Sequence, residues 1–556
     1  MLTSDQDNFI KMFERSFKEH WDLPAVTDYG TPNTFTYAQL AERVAMLHLV
    51  FQTCGIKKDD KIAIMGKNNC NWVASYIATV TFGAIVVPIL QDFKANDALH
   101  IVNHSDAQIL FVTDSIWECL EMQDMKKVKV VFSLNDFRPL ASRLNRVNLS
   151  QEAIQKMFKK VYPKGFKKED VHYDDRPNTE VASINYTSGT TGFSKGVITP
   201  CNALAGNIIS FYKTGGLFEG CRHVAFLPLA HAYGCGIDFL GVIVYGGHTY
   251  FIGRTPAPKI LLQAFAEVKP TNVLTVPLIV EKIYKKQIVP QISKTPVRWA
   301  LKIPFLSEAV LGKVRQQLID AFGGQFEEVI IGGAPLNAEV EEFLTRIKFP
   351  YAVGYGMTEC APLISFTPYK DGYKPLSCGK ILDDMEIKVV NPDEQGVGEL
   401  WVRGEHVMLG YYKNAAATRE ILTKDGWLKT GDLGYIDEEG FIFIKGRNKT
   451  MLLGPSGQNI YPEEIEAKLN NMPYVMESLV IQHEDHLVAL VCPDYEVAGQ
   501  MTSAEIETAM EENRKALNNE LAAYEQITKI KLYPHEFEKT PKKSIKRFLY
   551  TAMATD

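Results

Sequence analysis

Strand-like and helix-like segments alternate along the first part of the chain, and this pattern limits the possible folds more than any other feature. Runs rich in β-branched residues, such as KIAIMG, AIVVPIL and AQILFVTD, are separated by segments of helical character. One of these begins near Asn71 and another is NDALHIVNHS. Such alternation is typical of α/β proteins, in which helices flank parallel strands. We therefore expect an α/β fold.

The overall composition excludes several classes of protein. Of the 556 residues, 46% are hydrophobic and 23% are charged, which excludes disordered, fibrous and coiled-coil chains. The formal net charge is −6, so no overall basic field indicates binding to nucleic acid. The nine cysteines form no CxxC pair, which argues against a zinc site or a disulfide framework and favours a cytoplasmic protein.

One uncharged stretch of the sequence has about the length of a transmembrane helix. It runs from Trp72 to Leu90, but Gly83 and Pro88 interrupt it and its second half is β-branched. The pattern therefore predicts a buried helix, a turn and a buried parallel strand.

Two segments indicate how the chain is divided. Residues 156–170 are dense in lysine, which is typical of a solvated loop or, as the alternative, of a contact with anionic lipid. Near residues 445–450 a turn-rich region gives way to YPEEIEAKLNNMP, a predicted helix with Pro462 at its first position. We predict one domain over residues 1–445 and a second over 446–556.

The densest local motif is YTSGTTGFSKGV, residues 186–197, which follows a predicted strand. Its glycines allow backbone N–H groups to approach an anion, and four hydroxyl residues and Lys195 add further donors. The motif is suited to binding a polyphosphate. It is not a Walker A loop, because Ser194 rather than a glycine precedes the lysine.

Two further segments carry side chains suited to a nucleotide and its metal ion. GYGMTE, residues 354–359, offers the aromatic face of Tyr355 for a purine, Thr358 for a phosphate and Glu359 as an oxygen ligand for Mg²⁺. Asp432, in a TGD motif, can accept hydrogen bonds from both ribose hydroxyls.

In this order, these motifs resemble those of the adenylate-forming superfamily of acyl-CoA synthetases, luciferases and peptide-synthetase adenylation domains. Other matching segments are FLPLAHAYG at 226–234, GGAPL at 332–336 and KGRNKTM at 445–451. The resemblance covers nearly the whole chain and is greatest to bacterial long-chain fatty acid–CoA ligases. It implies a large N-terminal domain of helix-flanked sheets with a small β subdomain, followed by a mobile α/β cap.

The resemblance also implies roles for individual residues. The catalytic residues would be Lys195, His231, Glu359 and Lys543, with Glu359 as the metal ligand. The acid would contact His231, Tyr233, Gly234, Ile237 and Val353, and Lys449 would be the hinge between the domains. The nucleotide would contact Thr187, Ser188, Gly189, Thr190, Thr191, Gly192, Lys195, Gly333, Ala334, Pro335, Gly354, Tyr355, Gly356, Met357, Thr358, Asp432 and Arg447.

The C-terminal motif departs from the family pattern. The family has a lysine four residues after a Thr or Ser, where it bridges the substrate carboxylate and the α-phosphate. Counting from Thr540 gives Ser544 instead. Alternation along an extended chain favours Lys542 or Lys546, whereas a one-residue bulge brings in Lys543, which we prefer. The alternative is that this lysine is absent.

The implied reaction uses ATP, Mg²⁺ and coenzyme A. A carboxylic acid, with a long-chain fatty acid preferred, would form acyl-AMP and pyrophosphate and then acyl-CoA and AMP. An amino acid is disfavoured, because the first carboxylate after His231 is Asp238, farther along than in amino-acid-activating relatives. The alternatives are a ligase for medium-chain or aryl acids, a fatty acyl-AMP ligase serving a separate carrier protein, and a non-catalytic nucleotide or acyl-adenylate binder.

The expected partners are small molecules rather than nucleic acid. No carrier domain follows the last motif, so we expect a diffusing acceptor, with CoA preferred. We expect a cytoplasmic monomer or homodimer, with peripheral contact to the inner membrane face as a further hypothesis.

Overall fold

The computed structural model describes residues 8–187, 194–253, 257–453, 458–483, 486–499, 501–540, 544–551 and 553, apart from the side chain of Gln287. The strands are β1 Pro24–Asp28, β2 Thr34–Thr36, β3 Lys61–Met65, β4 Ile85–Ile89, β5 Ala107–Val112, β6 Val130–Ser133, β7 Pro139–Ser142, β8 Val181–Thr187, β9 Lys195–Pro200, β10 Arg222–Ala225, β11 His248–Phe251, β12 Val273–Thr275, β13 Val329–Ile331, β14 Tyr351–Val353, β15 Tyr355–Gly356, β16 Leu363–Ser365, β17 Met385–Val390, β18 Gly398–Gly404, β19 Gly410–Tyr411, β20 Leu428–Ile436, β21 Ile442–Arg447, β22 Leu452–Leu453, β23 Asn459–Ile460, β24 Val475–His483, β25 His486–Pro493 and β26 Ile527–Leu532.

The α-helices are α1 Phe9–Glu19, α2 Tyr37–Thr53, α3 Cys70–Thr81, α4 Ala95–His104, α5 Asp114–Trp117, α6 Gln151–Val161, α7 Cys201–Lys213, α8 Val242–Val244, α9 Pro258–Val268, α10 Pro277–Ile283, α11 Val289–Ile292, α12 Thr295–Ala300, α13 Pro304–Ala321, α14 Ala338–Arg346, α15 Ala415–Ile421, α16 Pro462–Leu469, α17 Tyr495–Ala498 and α18 Ser503–Asn518. Two π-helical segments span Gly234–Gly241 and Tyr284–Ile288.

An eight-stranded sheet organises the first part of the chain, with strand order β19-β9-β8-β4-β3-β5-β6-β7. Its central strands, from β8 to β6, are parallel to one another. Alternate residues of β3 face opposite sides, with Ile62 and Ile64 in one hydrophobic cluster and Ala63 and Met65 in another. Both faces are therefore covered, as the uniformly apolar strands predicted. The α/β prediction is confirmed.

The stretch from Trp72 to Leu90 folds as its sequence predicted. Helix α3 is followed by a turn at Gly83, which has φ +87°, and then by β4, which pairs in parallel with β3. No helix among the described residues is long and apolar enough to cross a membrane.

Four smaller sheets complete the first part of the chain, and one of them is the antiparallel pair β15–β16. β12, β13 and β14 form a parallel sheet, and β10, β11, β1 and β2 form a mixed one. β17, β18, β20 and β21 are antiparallel and match the expected small β subdomain.

The C-terminal part has its own core. Strands β24, β25 and β26 form a sheet, and residues of α16 and α18, including Ile465, Leu469 and Leu517, join their buried cluster. Helix α16 begins at Pro462 as predicted, with two glutamates in its first turn where the helix dipole favours them. A large N-terminal and a smaller C-terminal domain are thus confirmed, while the boundary at 445/446 stays a prediction.

Candidate nucleotide and carboxylate site

The phosphate-loop motif lies between two paired strands. Thr187, at the end of β8, is opposite Lys195, at the start of β9, and its hydroxyl donates to the Lys195 carbonyl at 3.5 Å. A Cβ on Gly196 would lie 2.9 Å from Cγ2 of Ile184, so strand packing requires that glycine. The five other predicted loop residues, Ser188, Gly189, Thr190, Thr191 and Gly192, lie outside the described residues.

Glu359 and Lys195 meet at a tyrosine that the sequence analysis missed. The Tyr411 hydroxyl donates to Oε1 of Glu359 at 2.8 Å, and Nζ of Lys195 lies 4.9 Å from the centroid of the Tyr411 ring. Burial and the neighbouring Glu359 raise the pKa of Tyr411, which keeps its hydroxyl protonated as a donor. Tyr411 therefore links the predicted metal ligand to the predicted phosphate lysine.

The loop carrying Glu359 is fixed by Asn207, which the sequence analysis also missed. Asn207, on α7, is 3% exposed; its Nδ2 donates to the Cys360 carbonyl at 3.0 Å and its Oδ1 accepts from the Leu363 N–H at 2.7 Å. Before the loop, a Cβ on Gly356 would lie 2.1 Å from the Pro362 carbonyl oxygen. Gly356 of GYGMTE thus allows its backbone to pass close to that of Pro362.

The predicted ribose contacts form a connected group around Asp432. Asp432 on β20 is the cross-strand partner of Arg447 on β21, and Arg447 Nε lies 3.1 Å from Asp432 Oδ1 in a salt bridge. The Tyr355 hydroxyl donates to Oδ2 at 2.6 Å, a contact that the sequence did not predict. Asp432 is 5% exposed, whereas the Arg447 side chain is 69% exposed.

The negative charge of Glu359 also affects the pKa of Asp432. Burial raises the pKa of the Asp432 carboxyl, Arg447 and Tyr355 oppose that rise, and Glu359 adds to it. The Tyr355–Asp432–Arg447 group and the Glu359–Tyr411–Lys195 group are joined through the GYGMTE segment, which carries both Tyr355 and Glu359. Each carboxylate oxygen accepts more than one hydrogen bond, so Asp432 retains capacity for ribose hydroxyls.

The predicted acid-binding residues lie beside the GGAPL loop. The Tyr233 hydroxyl donates to the Ile330 carbonyl at 3.1 Å, and its ring would be 3.1 Å from a Cβ on Gly332. Val353 is paired with Ile331 in the adjacent strand, and Val353 and Ile237 are both buried. The carboxyl end of β13 is therefore flanked by Tyr233 and Val353. Gly333, Ala334 and Pro335, which follow this strand, are exposed.

His231 and Asp238 have different surroundings. Nδ1 of His231 accepts from the Tyr233 backbone N–H at 3.3 Å, which fixes the ring that was predicted to flank the carboxylate. Asp238 is 1% exposed, and its Oδ1 lies 3.1 Å from Nδ1 of buried His223. Asp238 is thus turned toward a buried histidine.

Comparison with known proteins decides the family. The AMP-binding enzyme family matches residues 13–412, and the AMP-binding enzyme C-terminal domain matches residues 450–553. The chain belongs to the AMP-binding enzyme family. The expected membership of the adenylate-forming superfamily is confirmed.

Named relatives of this AMP-binding enzyme include ligases for several acids. A long-chain-fatty-acid–CoA ligase of Escherichia coli O157:H7 is 30% identical over 495 residues, which covers 84% of this chain and 82% of the relative. The ATP-bound structure of MatB from Rhodopseudomonas palustris has a TM-score of 0.76 at 21% identity and covers 98% of this chain and 99% of that one. The AMP complex of o-succinylbenzoate CoA synthetase (MenE) from Bacillus subtilis has a TM-score of 0.72 at 21% identity, with 97% of each chain covered.

The described residues on either side of the C-terminal motif pair with each other. The Ser544 carbonyl accepts from the Thr540 N–H at 2.8 Å, and Nζ of Lys546 donates to Oε1 of Glu538 at 2.9 Å. Lys546 lowers the pKa of Glu538 through this hydrogen bond and its charge, and the charge of Lys94 lowers it further. Lys542 and Lys543 lie outside the described residues, and the choice of Lys543 stays a prediction.

Lys449 lies in an exposed turn between the matched regions. The turn follows β21, and the hydroxyl of the next residue, Thr450, donates to Oε1 of Glu463 at 2.6 Å. Contacts between the two parts include a hydrogen bond from Asn337 Nδ2 to Asn471 Oδ1 at 2.7 Å and the packing of Tyr461 with Val397 and Leu433. Polar contacts of this kind are typical of domains that move relative to one another.

Proposed function

We propose that this enzyme joins a carboxylic acid to coenzyme A at the expense of ATP, and that its substrate is a long-chain fatty acid. The observation that carries the proposal is the link from Lys195 through Tyr411 to Glu359, next to the Asp432–Arg447 pair. These groups offer positive charge for a triphosphate, a carboxylate for a metal ion and acceptors for a ribose. The printed name of the E. coli relative supports the choice of acid.

The nucleotide would be held by its ribose and its phosphates. Asp432 would accept from the ribose hydroxyls, Arg447 would add a donor, and Tyr355 would fix the Asp432 carboxylate. Gly333, Ala334 and Pro335 are exposed after β13 and would line the adenine. Thr358 and Lys195 would contact the phosphates together with residues 188–192.

Glu359 fits a magnesium ion that is shared with the triphosphate. Its carboxylate is mostly buried, and one oxygen is oriented by Tyr411. The described residues contain no group of three or more metal-binding side chains. One oriented carboxylate is nevertheless sufficient for Mg²⁺ when phosphate oxygens and water supply the other ligands. The ion would neutralise phosphate charge.

The proposed chemistry has two steps, a transfer of AMP at the α-phosphorus and a transfer of the acyl group at its carbonyl carbon. In the first, a carboxylate oxygen bonds to the α-phosphorus of ATP while the bond to pyrophosphate breaks. Both reactants are anionic, so Lys195 and a C-terminal lysine, which we take as Lys543, would lower their repulsion. In the second, the CoA sulfur bonds to the acyl carbon, AMP leaves, and the thiol proton passes to water.

The acid would lie between His231, Tyr233, Gly234, Ile237 and Val353. Tyr233, Ile237 and Val353 are buried, which suits an apolar chain. Because Asp238 is enclosed with His223, it is poorly placed to bind the amine of an amino acid. This supports an acid without an amino group.

Pyrophosphate release from a series of straight-chain acids, with and without CoA, tests the proposal. We expect release to rise with chain length and to yield acyl-CoA when CoA is present. Glu359→Gln should abolish release because the amide cannot replace an anionic metal ligand, whereas Glu394→Gln, in an exposed turn, should match the parent. Near-normal release from Glu359→Gln would contradict the metal assignment, and acyl-AMP without acyl-CoA would favour a carrier-protein acceptor.

A further inference from the structure

The segment before and at the start of α13 exposes large apolar side chains to solvent. Trp299 is 67% exposed, Ile303 50%, Phe305 82% and Leu306 43%. Phe305 is more exposed than any other large apolar side chain among the described residues. The four lie within eight positions, on α12, at the N-cap of α13 and in its first turn, so their exposure is concentrated in one short segment. Concentrated apolar exposure of this kind marks an interaction site.

The same segment is basic in a protein that is acidic overall. From Lys282 to Ser307 the sequence has no acidic residue, although the whole chain has a formal net charge of −6. The basic residues in this interval are Lys282, Lys285, Lys286, Lys294, Arg298 and Lys302. Lys285 donates to the Asn470 carbonyl and Lys286 pairs with Glu496, so both face the C-terminal part.

The remaining cations surround the apolar side chains. Lys294, Arg298 and Lys302 are exposed and form no salt bridge with any described residue. Nζ of Lys302 lies 5.4 Å from the centroid of the Trp299 ring, so charge and aromatic surface are adjacent. The nearest acidic residue in the sequence is Glu308, which is exposed on α13. We call this set of residues, 294–306, the α12–α13 surface.

The α12–α13 surface is connected to the proposed acid pocket through the backbone. Its segment links β12 to β13, two parallel strands of one sheet. The chain leaves β12 at Thr275 and returns through β13 to Gly332, against which the Tyr233 ring packs. A partner bound at this surface would therefore lie on the connection between two strands that border the pocket.

We propose that the α12–α13 surface docks on an anionic lipid bilayer, with Trp299 and Phe305 in the headgroup region and the three cations against acidic lipids. Aromatic rings favour the membrane–water interface, and basic residues next to them add electrostatic attraction. The charge of the surface is complementary to an acidic bilayer and opposite to that of the protein as a whole. The bilayer would also supply substrate, because long-chain acids partition into it. This part of the proposal rests on the proposed function.

The lysine-dense segment 156–170 is the less suitable membrane contact. Lys156, Lys159 and Lys160 are exposed on α6, but Phe158 is buried with 6% exposure. The segment also ends in acidic residues, at 169 and 170. Tyr162 and Phe166 are only partly exposed and pack against each other, with ring centroids 5.0 Å apart. The segment therefore offers cations without a fully exposed aromatic side chain, and it provides a charge-matched control.

Flotation of the full chain with vesicles tests whether the three cations of the α12–α13 surface contribute to membrane binding. The probes are vesicles of phosphatidylcholine alone and of phosphatidylcholine with phosphatidylglycerol, without ATP or fatty acid. We expect binding only to the acidic vesicles. The triple variant Lys294→Gln/Arg298→Gln/Lys302→Gln should lose roughly a hundredfold in partition coefficient, since each cation contributes about fivefold near an acidic membrane. The control Lys156→Gln/Lys159→Gln/Lys160→Gln should bind like the parent, and equal losses in both triples would overturn the proposal.

A second pair of variants tests the apolar half. Phe305→Ser should weaken binding to acidic vesicles, whereas Val497→Ser, which changes another exposed apolar residue at 64% exposure, should not. If Phe305→Ser binds as the parent does, the surface is not inserted and the proposal fails. If Phe305→Ser instead converts a lipid-free dimer to a monomer in sedimentation analysis, the surface contacts a second copy and the proposal fails. Vesicle binding requires no turnover, so loss of the proposed activity would leave these results interpretable.

Discussion

At the scale of single residues, the account depends on what Asp432 does with its buried carboxylate. Asp432→Asn keeps the shape but removes the charge that Arg447 and the ribose would share. Hydrogen bonds to a charged acceptor contribute about 1.5–3 kcal/mol each, so we expect ATP affinity to fall by tenfold or more in calorimetry. Asp437→Asn, at an exposed ion pair with Lys374 in the turn after β20, is the matched control. Unchanged affinity in Asp432→Asn would remove the ribose assignment.

Tyr411 supplies a second prediction at this scale. Tyr411→Phe keeps the ring beside Lys195 but removes the hydroxyl that orients Glu359. We expect adenylation to slow by roughly tenfold, the equivalent of one charged hydrogen bond, and to need more Mg²⁺ for half-maximal rate. The neighbouring Tyr412→Phe removes a hydroxyl that contacts Asp106 instead, and should leave the Mg²⁺ requirement unchanged. A parental Mg²⁺ profile in Tyr411→Phe would show that its hydroxyl does not serve the metal site.

At the scale of secondary-structure elements, the turn at Lys449 tests the moving cap. Proline at 449 fixes φ at the residue proposed to rotate between two cap orientations. We expect Lys449→Pro to slow thioester formation from added acyl-AMP more than adenylation, whereas Lys449→Ala should affect both steps little. Equal loss of both steps in the proline variant would place the hinge elsewhere.

Elements were predictable from sequence where the signal is local. Strands β3, β4 and β5 and helices α4 and α16 follow from periodicity, β-branching and capping, all of which act within a few residues. Asp432 and Arg447 were each predicted as nucleotide contacts, and their pairing follows from two consecutive strands joined by a short turn.

Contacts between distant segments were not predictable. Tyr411 reaches Glu359 because β19 pairs with β9 at the edge of the eight-stranded sheet, far apart in the chain. Asn207 fixes the Glu359 loop from α7, again through a contact of long sequence separation. Tyr355 was predicted only as a stacking surface, and its hydrogen bond to Asp432 depends on the packing of two sheets. A single sequence carries no local signal for such contacts.

At the scale of the whole molecule, the sheets, the β subdomain and the cap together serve one chemical event, the attack of a carboxylate on the α-phosphorus of ATP. The charges that surround the site promote the reaction only if the substrate carboxylate and the triphosphate of ATP bind next to each other there. Other ways of using ATP, such as transfer of the γ-phosphate to the acid, would need the same nucleotide contacts but break a different bond.

The most direct test follows the carboxylate oxygens. The enzyme is supplied with ATP, CoA and a long-chain fatty acid whose carboxylate is enriched in the heavy oxygen isotope, and the products are analysed by mass spectrometry. If acyl-AMP is the intermediate, one labelled oxygen appears in AMP, one remains in acyl-CoA, and pyrophosphate carries none. Label in inorganic phosphate with ADP as the co-product, or AMP without label, would contradict the account.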